Sequence, residues 1–368
     1  MLSEIITQLI REKGPISFHD FMEMCLYYPG LGYYTSPVEK IGKKGGYYTS
    51  SYISPVFGAM IGKQIEQMWH IMEEKPFSIV EYGAGTGFLC HDILVYLKNN
   101  HKLYDHLRYC IIEKSPVMQE WEKNHLVEKV TWFDSIEEIG EFSGCVLSNE
   151  LVDNFSVHQV LMEDRLMEVF VDYDNGFVER KRTAGKELSD YLAELDVVLP
   201  KGFRTEINLE ATQWIGKIAG SLEKGYVITI DYGYPSSELY REYRREGTLI
   251  CYNKHKINDD PYTSIGEQDI TSHVNFSALN HWGLKNGLET CGLIDQARFL
   301  MGLGIDDYLK KLRVEKHFQG SLSAEEEFIK NTLMLEMGRK FKVLIQKKSL
   351  PNRELLGLKH FYSQLHFC

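Results

Sequence analysis

The stretch FSIVEYGAGTGFLCHDILVYL, residues 77–97, decides the fold because a short apolar run passes through a glycine turn directly into a helical pattern. Similar apolar runs recur along the chain with helical patterns between them, at residues 108–114, 130–134, 144–149 and 225–233. Such alternation predicts βαβ units and a mostly parallel sheet with helices on both faces. The sequence therefore predicts an α/β fold that binds its ligands beyond the carboxyl ends of the strands.

The spacing of the glycines in the turn after the first predicted strand bears on which ligand the turn could bind. Glycines in such a turn adopt positive φ without steric cost and let the backbone approach a ligand. Here Gly83, Gly85 and Gly87 follow Glu81 at every second position. A dinucleotide-binding loop would have its third glycine at position 88, which is Phe88 in this chain. The spacing argues against NAD. The turn could bind another ligand, or it could serve only packing.

Acidic residues end the next two predicted strands, at the edge of the sheet where the glycine turn lies. Glu113 ends the second strand and could accept hydrogen bonds from both hydroxyls of a ribose. Asp134 ends the third strand, where it could reach an adenine amino group. This pattern of acid, glycines and acid resembles the S-adenosylmethionine site of class I methyltransferases. The resemblance implies a Rossmann-like class I methyltransferase fold with S-adenosylmethionine as its cofactor.

The fourth predicted strand ends in SNELVDNF, residues 148–155, which holds an amide and two carboxylates close together. In the class I fold this strand ends beside the transferable methyl group, where the nucleophile must be held. Asn149, Glu150 and Asp153 are therefore candidate catalytic residues. Each also has a structural alternative, because the amide could close a turn, Glu150 could cap a helix and Asp153 could be a solvated charge.

Composition limits the class of protein and its partners. The 368 residues suit one enlarged domain or two ordinary ones. A formal net charge of -11 repels phosphate backbones, so nucleic acid is not an expected partner. The seven cysteines form no CxxC pair and the histidines have no metal-ligand spacing, which predicts a reducing compartment and no metal site.

The location of the protein is also an expectation from sequence. No apolar run reaches the roughly 18 to 20 residues that a membrane helix needs, so we expect no membrane insertion. The N-terminal stretch MLSEIITQLIREKGPISF lacks the apolar core and cleavage site of a signal peptide. We therefore expect a cytoplasmic, bacterial protein.

The chain divides into a predicted methyltransferase core with additions. The lid is residues 1–72, the core is 73–155, 206–234 and 291–348, the substrate cap is 156–205 and 235–290, and the tail is 349–368. The lid is helical at first and then rich in tyrosines that could supply cation-π contact or only packing, among them Tyr33, Tyr34, Tyr47 and Tyr48.

The two parts of the cap differ in pattern. Residues 156–182 predict antiparallel strands joined at Glu163-Asp164 and at Asp174-Asn175-Gly176. Residues 235–290 are polar and predict irregular structure. Near residue 341, FKVLIQKK predicts a closing antiparallel strand.

From about residue 14 to residue 347 the chain resembles the MidA-type methyltransferases. The resemblance rests on YYPGLGYYTS, VEYGAGTGFLCHDIL, IIEKSP, SNELVDN, TIDYGY and GTLICYNKHKINDDPYTSIGEQDITSHVNF. Its most specific motifs are NExxD after the fourth strand and GEQDIT in the late insertion. The resemblance implies a bacterial and mitochondrial group whose eukaryotic member methylates an arginine of a complex I subunit, and hence a protein substrate.

The implied arginine chemistry suits the polar residues of SNELVDNF. Guanidinium has a pKa above about 12 and delocalised lone pairs, so it is a poor nucleophile until it is oriented and polarised. Glu150 and Asp153 are the candidate guanidinium clamp, with Asn149 between cofactor and substrate. His273 could be a general base or a structural histidine. Asp231, which ends the fifth strand, could face the substrate or bond the neighbouring turn.

Three acids of the family pattern are absent from this chain. Gly46 and Tyr52 replace two of them before SPVFG, and Asn275 replaces the third in HVNF. These losses in expected active-site loops weigh against arginine as the acceptor. A small-molecule methyltransferase and a non-catalytic S-adenosylmethionine-binding assembly factor are the alternatives, although the latter would not need an intact NExxD.

Overall fold

The protein is described by a computed structural model over residues 1–37, 50–126, 128–253, 256–315 and 324–359. Its helices are α1 Leu2–Lys13, α2 Phe18–Tyr27, α3 Ser50–Ile53, α4 Pro55–Ile71, α5 Phe88–Leu97, α6 His101–His106, α7 Pro116–His125, α8 Ile136–Ile139, α9 Lys186–Glu194, α10 Leu209–Ser221, α11 Ser236–Leu239, α12 Phe276–Lys285, α13 Gln296–Gly302, α14 Ile305–Glu315 and α15 Ala324–Lys330. Its strands are β1 Ile16–Ser17, β2 Phe77–Tyr82, β3 Leu107–Ile112, β4 Val130–Phe133, β5 Phe142–Asn149, β6 His158–Met162, β7 Leu166–Tyr173, β8 Phe177–Thr183, β9 Arg204–Ile207, β10 Leu222–Tyr234, β11 Ile250–Asn253, β12 Lys256–Asn258, β13 Asp269–Thr271, β14 Val274–Asn275, β15 Glu289–Asp295 and β16 Phe341–Lys348. Short 3₁₀ turns lie at Val152–Asn154, Glu242–Arg244 and Leu356–Leu358, and a π-helical turn lies at Asn331–Glu336.

The central sheet has the strand order β15-β16-β10-β5-β2-β3-β4, with β14 beside β10. Strands β10, β5, β2, β3 and β4 run parallel to one another. Strand β16 is antiparallel to both β10 and β15. The structure thus confirms the predicted α/β sheet and the closing antiparallel strand at FKVLIQKK.

Both faces of the sheet are buried, which explains why its strands are apolar throughout rather than alternating. On β3, Tyr109 and Ile111 pack with α4 and α5 on one face. Cys110 and Ile112 point the other way and pack with α10 and α12. Successive side chains of a strand face opposite sides, so each strand contributes to two hydrophobic cores.

A second sheet joins the N-terminal segment to the first part of the cap. Its order is β1-β7-β6-β9, with β8 beside β7. The predicted hairpins are confirmed, since β6, β7 and β8 pair antiparallel in sequence order. Asn175 lies in the second turn with a φ of 56°, a left-handed conformation that asparagine tolerates. The pairing of β1 with β7 attaches the predicted lid to the predicted cap.

Residues 235–290 differ from the predicted irregular structure. They contain the three-stranded sheet β12-β11-β13 and the helix α12. The side chains of Phe276 and Leu279 are fully or almost fully buried against the central sheet. The helix was missed because polar residues surround these apolar positions, while Asn275 caps it by accepting from Ala278 N–H at 3.2 Å.

The described residues also bear on membranes and metals. In these parts of the chain, none of the helices combines the length and the apolar character that crossing a membrane requires. The same residues contain no group of three or more His, Cys, Asp or Glu side chains that could hold a metal ion. The cytoplasmic location stays a prediction.

Candidate active site

The turn between β2 and α5 has the backbone conformation that its glycines allow. Gly83, Gly85 and Gly87 have φ values of 65°, 60° and 76°. A Cβ atom on Gly83 would lie 2.7 Å from Leu151 Cδ1, so a side chain there would have to displace the end of the Leu151 side chain. Gly83 N–H also donates to Ile112 O at 2.9 Å. Two neighbouring strands therefore fix the start of the turn.

A cavity of about 300 Å³ opens at the carboxyl ends of the parallel strands, next to this turn. Seven of the predicted site residues line it, namely Glu81, Gly83, Gly85, Glu113, Asp134, Asn149 and Glu150. Gly87, Asp153 and His273 are not among the lining residues. The structure thus brings together the predicted cofactor residues of three strands and two of the predicted catalytic residues.

Two carboxyl groups face the cavity, that of the buried Glu81 on β2 and that of the half-buried Glu113 after β3. Tyr109 Oη donates to Glu81 Oε2 at 2.6 Å, and Ser115 N–H donates to Glu113 Oε1 at 2.7 Å. Burial raises the pKa of Glu81 to about 7 and that of Glu113 to about 7 as well. Asp134, by contrast, is exposed at the cavity rim. Desolvation disfavours the charged carboxylates, so a ligand that donates hydrogen bonds would stabilise them.

Asn149 and Glu150 bring the end of β5 to the cavity. Ser50 N–H and Asn149 Nδ2 donate to Glu150 Oε1 at 2.9 and 3.1 Å. Asn149 Oδ1 is buried and has no hydrogen-bond partner among the described residues. Glu150 has a φ of 54°, which is uncommon for a residue with a side chain and is typical of functional turns. Burial, followed by the charge of Asp153, raises the pKa of Glu150 to about 8.

Asp231 at the end of β10 holds the turn that follows Glu150. Its Oδ2 accepts from the N–H groups of three successive residues, Leu151, Val152 and Asp153, at 3.2, 2.9 and 3.3 Å. The Asp231 side chain is fully buried and does not line the cavity. Of the two roles left open by the sequence, the structure shows the contact with the neighbouring turn.

Asp153 points away from the cavity. Only 4% of Asp153 is exposed, and Asn154 Nδ2 donates to Asp153 Oδ1 at 3.0 Å. Burial raises the pKa of Asp153 to about 7. The structure therefore does not place the two carboxylates of the predicted clamp side by side on the cavity wall.

His273 lies outside the cavity, between two tyrosine rings. Its ring centroid is 5.3 Å from that of Tyr232 and 5.5 Å from that of Tyr234. Burial, with a smaller effect of the Arg244 charge, lowers the pKa of His273 to about 4. A neutral imidazole enclosed by aromatic rings matches the structural alternative more closely than contact with a substrate in this cavity.

Comparisons with known proteins agree with this geometry. Residues 60–294 match the model of a family described as "Putative S-adenosyl-L-methionine-dependent methyltransferase". The chain belongs to this methyltransferase family. A solved structure from Burkholderia thailandensis, bound to S-adenosyl-homocysteine, is 30% identical with a TM-score of 0.86, and the match covers 97% of this chain and 94% of that one.

Curated relatives of the chain include arginine methyltransferases. The "Protein arginine methyltransferase NDUFAF7 homolog, mitochondrial" of Drosophila melanogaster is 25% identical over 93% of this chain and 84% of its own length. The "Protein arginine methyltransferase NDUFAF7, mitochondrial" of Mus musculus is 26% identical over 95% of this chain and 84% of its own. These comparisons confirm the predicted family, the methyltransferase activity and S-adenosylmethionine as the cofactor.

The residues of this methyltransferase fit the cofactor. The nucleoside of S-adenosylmethionine has hydroxyl and amino donors. The half-buried carboxylate of Glu113 and the rim carboxylate of Asp134 are acceptors on the cavity wall. The unpartnered Oδ1 of Asn149 is a further acceptor. The wall formed by Gly83 and Gly85 has no side chain, so the backbone can approach the ligand. These residues would hold the cofactor.

Several lining residues of the methyltransferase site were missed by sequence reasoning. They come from the N-terminal segment and from α10, and they include Tyr27, Glu210 and Trp214. Tyr34, one of the tyrosines that the sequence singled out, lines the cavity as well. Tyr27 Oη donates to Asn154 O at 3.2 Å, and Ser115 Oγ donates to Tyr34 O at 2.7 Å. No local pattern predicts these contacts, because the partners are 81 or more positions apart.

The three departures from the family pattern have different surroundings. Asn275 Oδ1 caps α12, a role that aspartate also fills, and the residue does not line the cavity. The ring of Tyr52 lies 5.9 Å from that of Phe88 at the start of α5. Gly46 and the tyrosines Tyr47 and Tyr48 lie outside the described residues. The absent acid at position 275 is thus a change in a helix cap rather than in the cavity.

Proposed function

We propose that this methyltransferase transfers its methyl group to an arginine side chain of a protein. The observation that carries the proposal is the Glu150 carboxylate on the cavity wall beside Asn149. Both side-chain hydrogen bonds that its carboxylate accepts within the described residues go to Oε1, so Oε2 can accept an N–H of the substrate guanidinium. The arginine methyltransferases among the relatives support the same acceptor.

The charges around the cavity support a cationic acceptor. Five carboxyl groups line it, from Glu81, Glu113, Asp134, Glu150 and Glu210. Burial raises the pKa of three of them, to about 7 for Glu81 and Glu113 and to about 8 for Glu150, and a bound cation would stabilise their charged forms. Lys114 is the single lysine or arginine of the described lining. Its Nζ contacts Glu23 Oε1 at 2.5 Å and lies 4.0 Å from the Tyr27 ring centroid. The cavity therefore favours positively charged groups, such as guanidinium, over anions.

In the proposed mechanism the Glu150 carboxylate contacts the substrate, and Asp153 acts only through its charge. The cofactor supplies an electrophilic methyl group when it is bound. Glu150 binds the guanidinium by a charge-assisted hydrogen bond and orients one nitrogen for attack, and Asn149 Oδ1 accepts a second N–H. The attacking nitrogen loses a proton, which Glu150 accepts. Asp153 acts behind Glu150 by its charge, because its own carboxyl group does not line the cavity.

Analysis of the methylated product tests the acceptor. The protein is incubated with S-adenosylmethionine labelled on its methyl group and with an extract of host cells that lack the gene. We expect the label in protein and, after acid hydrolysis, in methylarginine. Label in a small molecule, or in another amino acid, would refute the proposal. The respiratory-complex subunit predicted from the family resemblance is the first purified acceptor to test.

The variant Glu150→Gln tests the carboxylate. Loss of a charged hydrogen-bond partner costs about 1.5 to 3 kcal/mol, which corresponds to a rate roughly ten- to a hundredfold lower. We expect that loss in the methylation rate and an unchanged affinity for S-adenosylmethionine. Glu141→Gln, at an exposed residue before β5, is the matched control. A parent-like rate in Glu150→Gln would show that the carboxylate only orders the turn.

A further inference from the structure

The direction of the Glu150 carboxylate depends on a residue that precedes it by 100 positions. Ser50, the first residue of α3, donates its backbone N–H to Glu150 Oε1 at 2.9 Å. Ser50 is fully buried. A backbone donor cannot turn about a side-chain bond, so this contact is only as well placed as Ser50 itself. The groups that hold Ser50 therefore bear on the candidate active site.

Gln296, the first residue of α13, holds Ser50 from a third part of the chain. It is fully buried, and its Nε2 donates to Leu333 O at 3.3 Å. A carbonyl oxygen only accepts, so the amide nitrogen faces Leu333 and the amide oxygen faces Ser50. Ser50 Oγ donates to Gln296 Oε1 at 3.4 Å. Leu333 lies in the π-helical turn Asn331–Glu336, and such turns are frequent at functional sites.

A second buried glutamine shows what a purely structural amide does in this fold. Gln64 on α4 is also fully buried, and it donates to Gln67 Oε1 and accepts from Gly357 N–H. Neither of these partners lines the cavity. Gln296 differs because one of its two partners, Ser50, is itself a donor to the Glu150 carboxylate.

The groups around Glu150 show why this donor matters. Burial raises the pKa of Glu150 to about 8, and the charge of Asp153 adds to the rise. Asp231, at the end of β10, is a further buried acid near Glu150, and burial raises its pKa as well. The N–H of Ser50 acts in the opposite direction on the pKa of Glu150, because a donor stabilises the charged carboxylate.

We propose that Gln296 is a positioning residue of the candidate active site, which holds Ser50 so that its N–H orients the Glu150 carboxylate and stabilises its charge. The inference rests on the proposed role of Glu150 in binding the guanidinium and accepting its proton. Gln296 does not line the cavity, so it acts through Ser50. Without its amide, Ser50 loses its anchor and Glu150 is less often charged at neutral pH.

The variant Gln296→Met tests this role, because it keeps the length of the side chain and removes the amide. The methylation rate is measured from about pH 6 to about pH 10 with saturating labelled S-adenosylmethionine and a limiting amount of extract from host cells that lack the gene. For the parent we expect the rate to rise with pH through a midpoint near the Glu150 pKa of about 8. In Gln296→Met the midpoint should move to higher pH. Its rate should be roughly tenfold lower at about pH 7 and approach that of the parent at about pH 10.

A direct titration of Glu150 gives a result that does not depend on catalysis. The protein is isotope-labelled in its glutamate carboxyl carbons and titrated by NMR, and the Glu150 signal is the one that Glu150→Gln lacks. We expect the midpoint of this signal to rise in Gln296→Met. It should also rise in Ser50→Ala, which keeps the backbone N–H and lacks only the hydroxyl group. The double variant should shift no further than Gln296→Met alone, because both changes remove the same hydrogen bond.

The matched control is Gln64→Met, which removes a buried amide that has no contact with Ser50 and should keep the midpoint of the parent. The proposal is overturned if the Glu150 midpoint stays at the parent value in Gln296→Met and Ser50→Ala, or if Gln64→Met shifts it equally. A shifted Glu150 signal with a parent-like rate profile would support the positioning role of Gln296. That result would refute the proposed part of Glu150 in methyl transfer, so the two claims fail separately.

Discussion

Replacement of Asp231 by asparagine tests how the fold holds the catalytic turn. The parent carboxylate accepts from three N–H groups through Oδ2 and from Tyr232 N–H at 2.9 Å through Oδ1. The asparagine oxygen can keep the three contacts, but the amide NH₂ then faces Tyr232 N–H. One hydrogen bond is lost inside the protein, which costs about 1 to 3 kcal/mol because the donor stays buried.

We expect this cost in both stability and catalysis. The free energy of unfolding should fall by about 1 to 3 kcal/mol, measured by urea denaturation with circular dichroism. Glu150 directly precedes the anchored residues and has a strained φ of 54°, so its carboxylate should lose its orientation. Methyl transfer should fall roughly tenfold, since about 1.4 kcal/mol is one decade in rate. Affinity for S-adenosylmethionine should change less than the rate, because Asp231 does not line the cavity.

Asp105→Asn, at an exposed residue of α6, is the control and should match the parent in both measurements. The reasoning is refuted if Asp231→Asn unfolds at the parent denaturant concentration and turns over at the parent rate. Loss of stability with an unchanged rate would separate the two claims, because the carboxylate would then support the fold without orienting Glu150.

Three other changes have defined outcomes. Gly83→Ala should weaken S-adenosylmethionine binding roughly tenfold in a calorimetric titration. A left-handed φ costs about 1 to 2 kcal/mol with a side chain, and the new Cβ would lie 2.7 Å from Leu151 Cδ1. An affinity equal to that of the parent would show that the turn does not need glycine at this position. Hydrogen bonds to two carboxylates, Asp20 and then Glu210, raise the pKa of His19 to about 9. The contribution of protonated His19 to the stability of the fold is therefore fully present below the unfolded pKa near 6.5 and is lost as the pH rises through about 9. Over that pH range the melting temperature of His19→Gln should fall less than that of the parent. Asn275→Asp should leave the methylation rate within roughly twofold of the parent, because both residues cap helices; a large gain in rate would instead connect this position with the substrate.

The local pattern of the sequence predicted much of the sheet and of the cofactor site. The first strand, the glycine turn and α5 lie within one stretch of 21 residues, 77–97, and each depends on interactions between near neighbours. Parallel strands end at a common edge, so acids that follow different strands meet there. This rule was enough to predict that Glu81, Glu113, Asp134 and Glu150 share a cavity wall.

Only the tertiary structure decided which polar side chains of the catalytic turn face the cavity. Within SNELVDNF the sequence does not distinguish Glu150 from Asp153, since both are carboxylates three positions apart. Hydrogen bonds from β10 impose the turn: Ile230 O accepts from Glu150 N–H at 2.9 Å, and Asp231 accepts from the next three N–H groups. These partners are about 80 positions away in the chain, and their contacts direct Glu150 to the cavity and Asp153 away from it. Side-chain direction in a turn follows from such non-local bonds, which no local pattern of residues encodes.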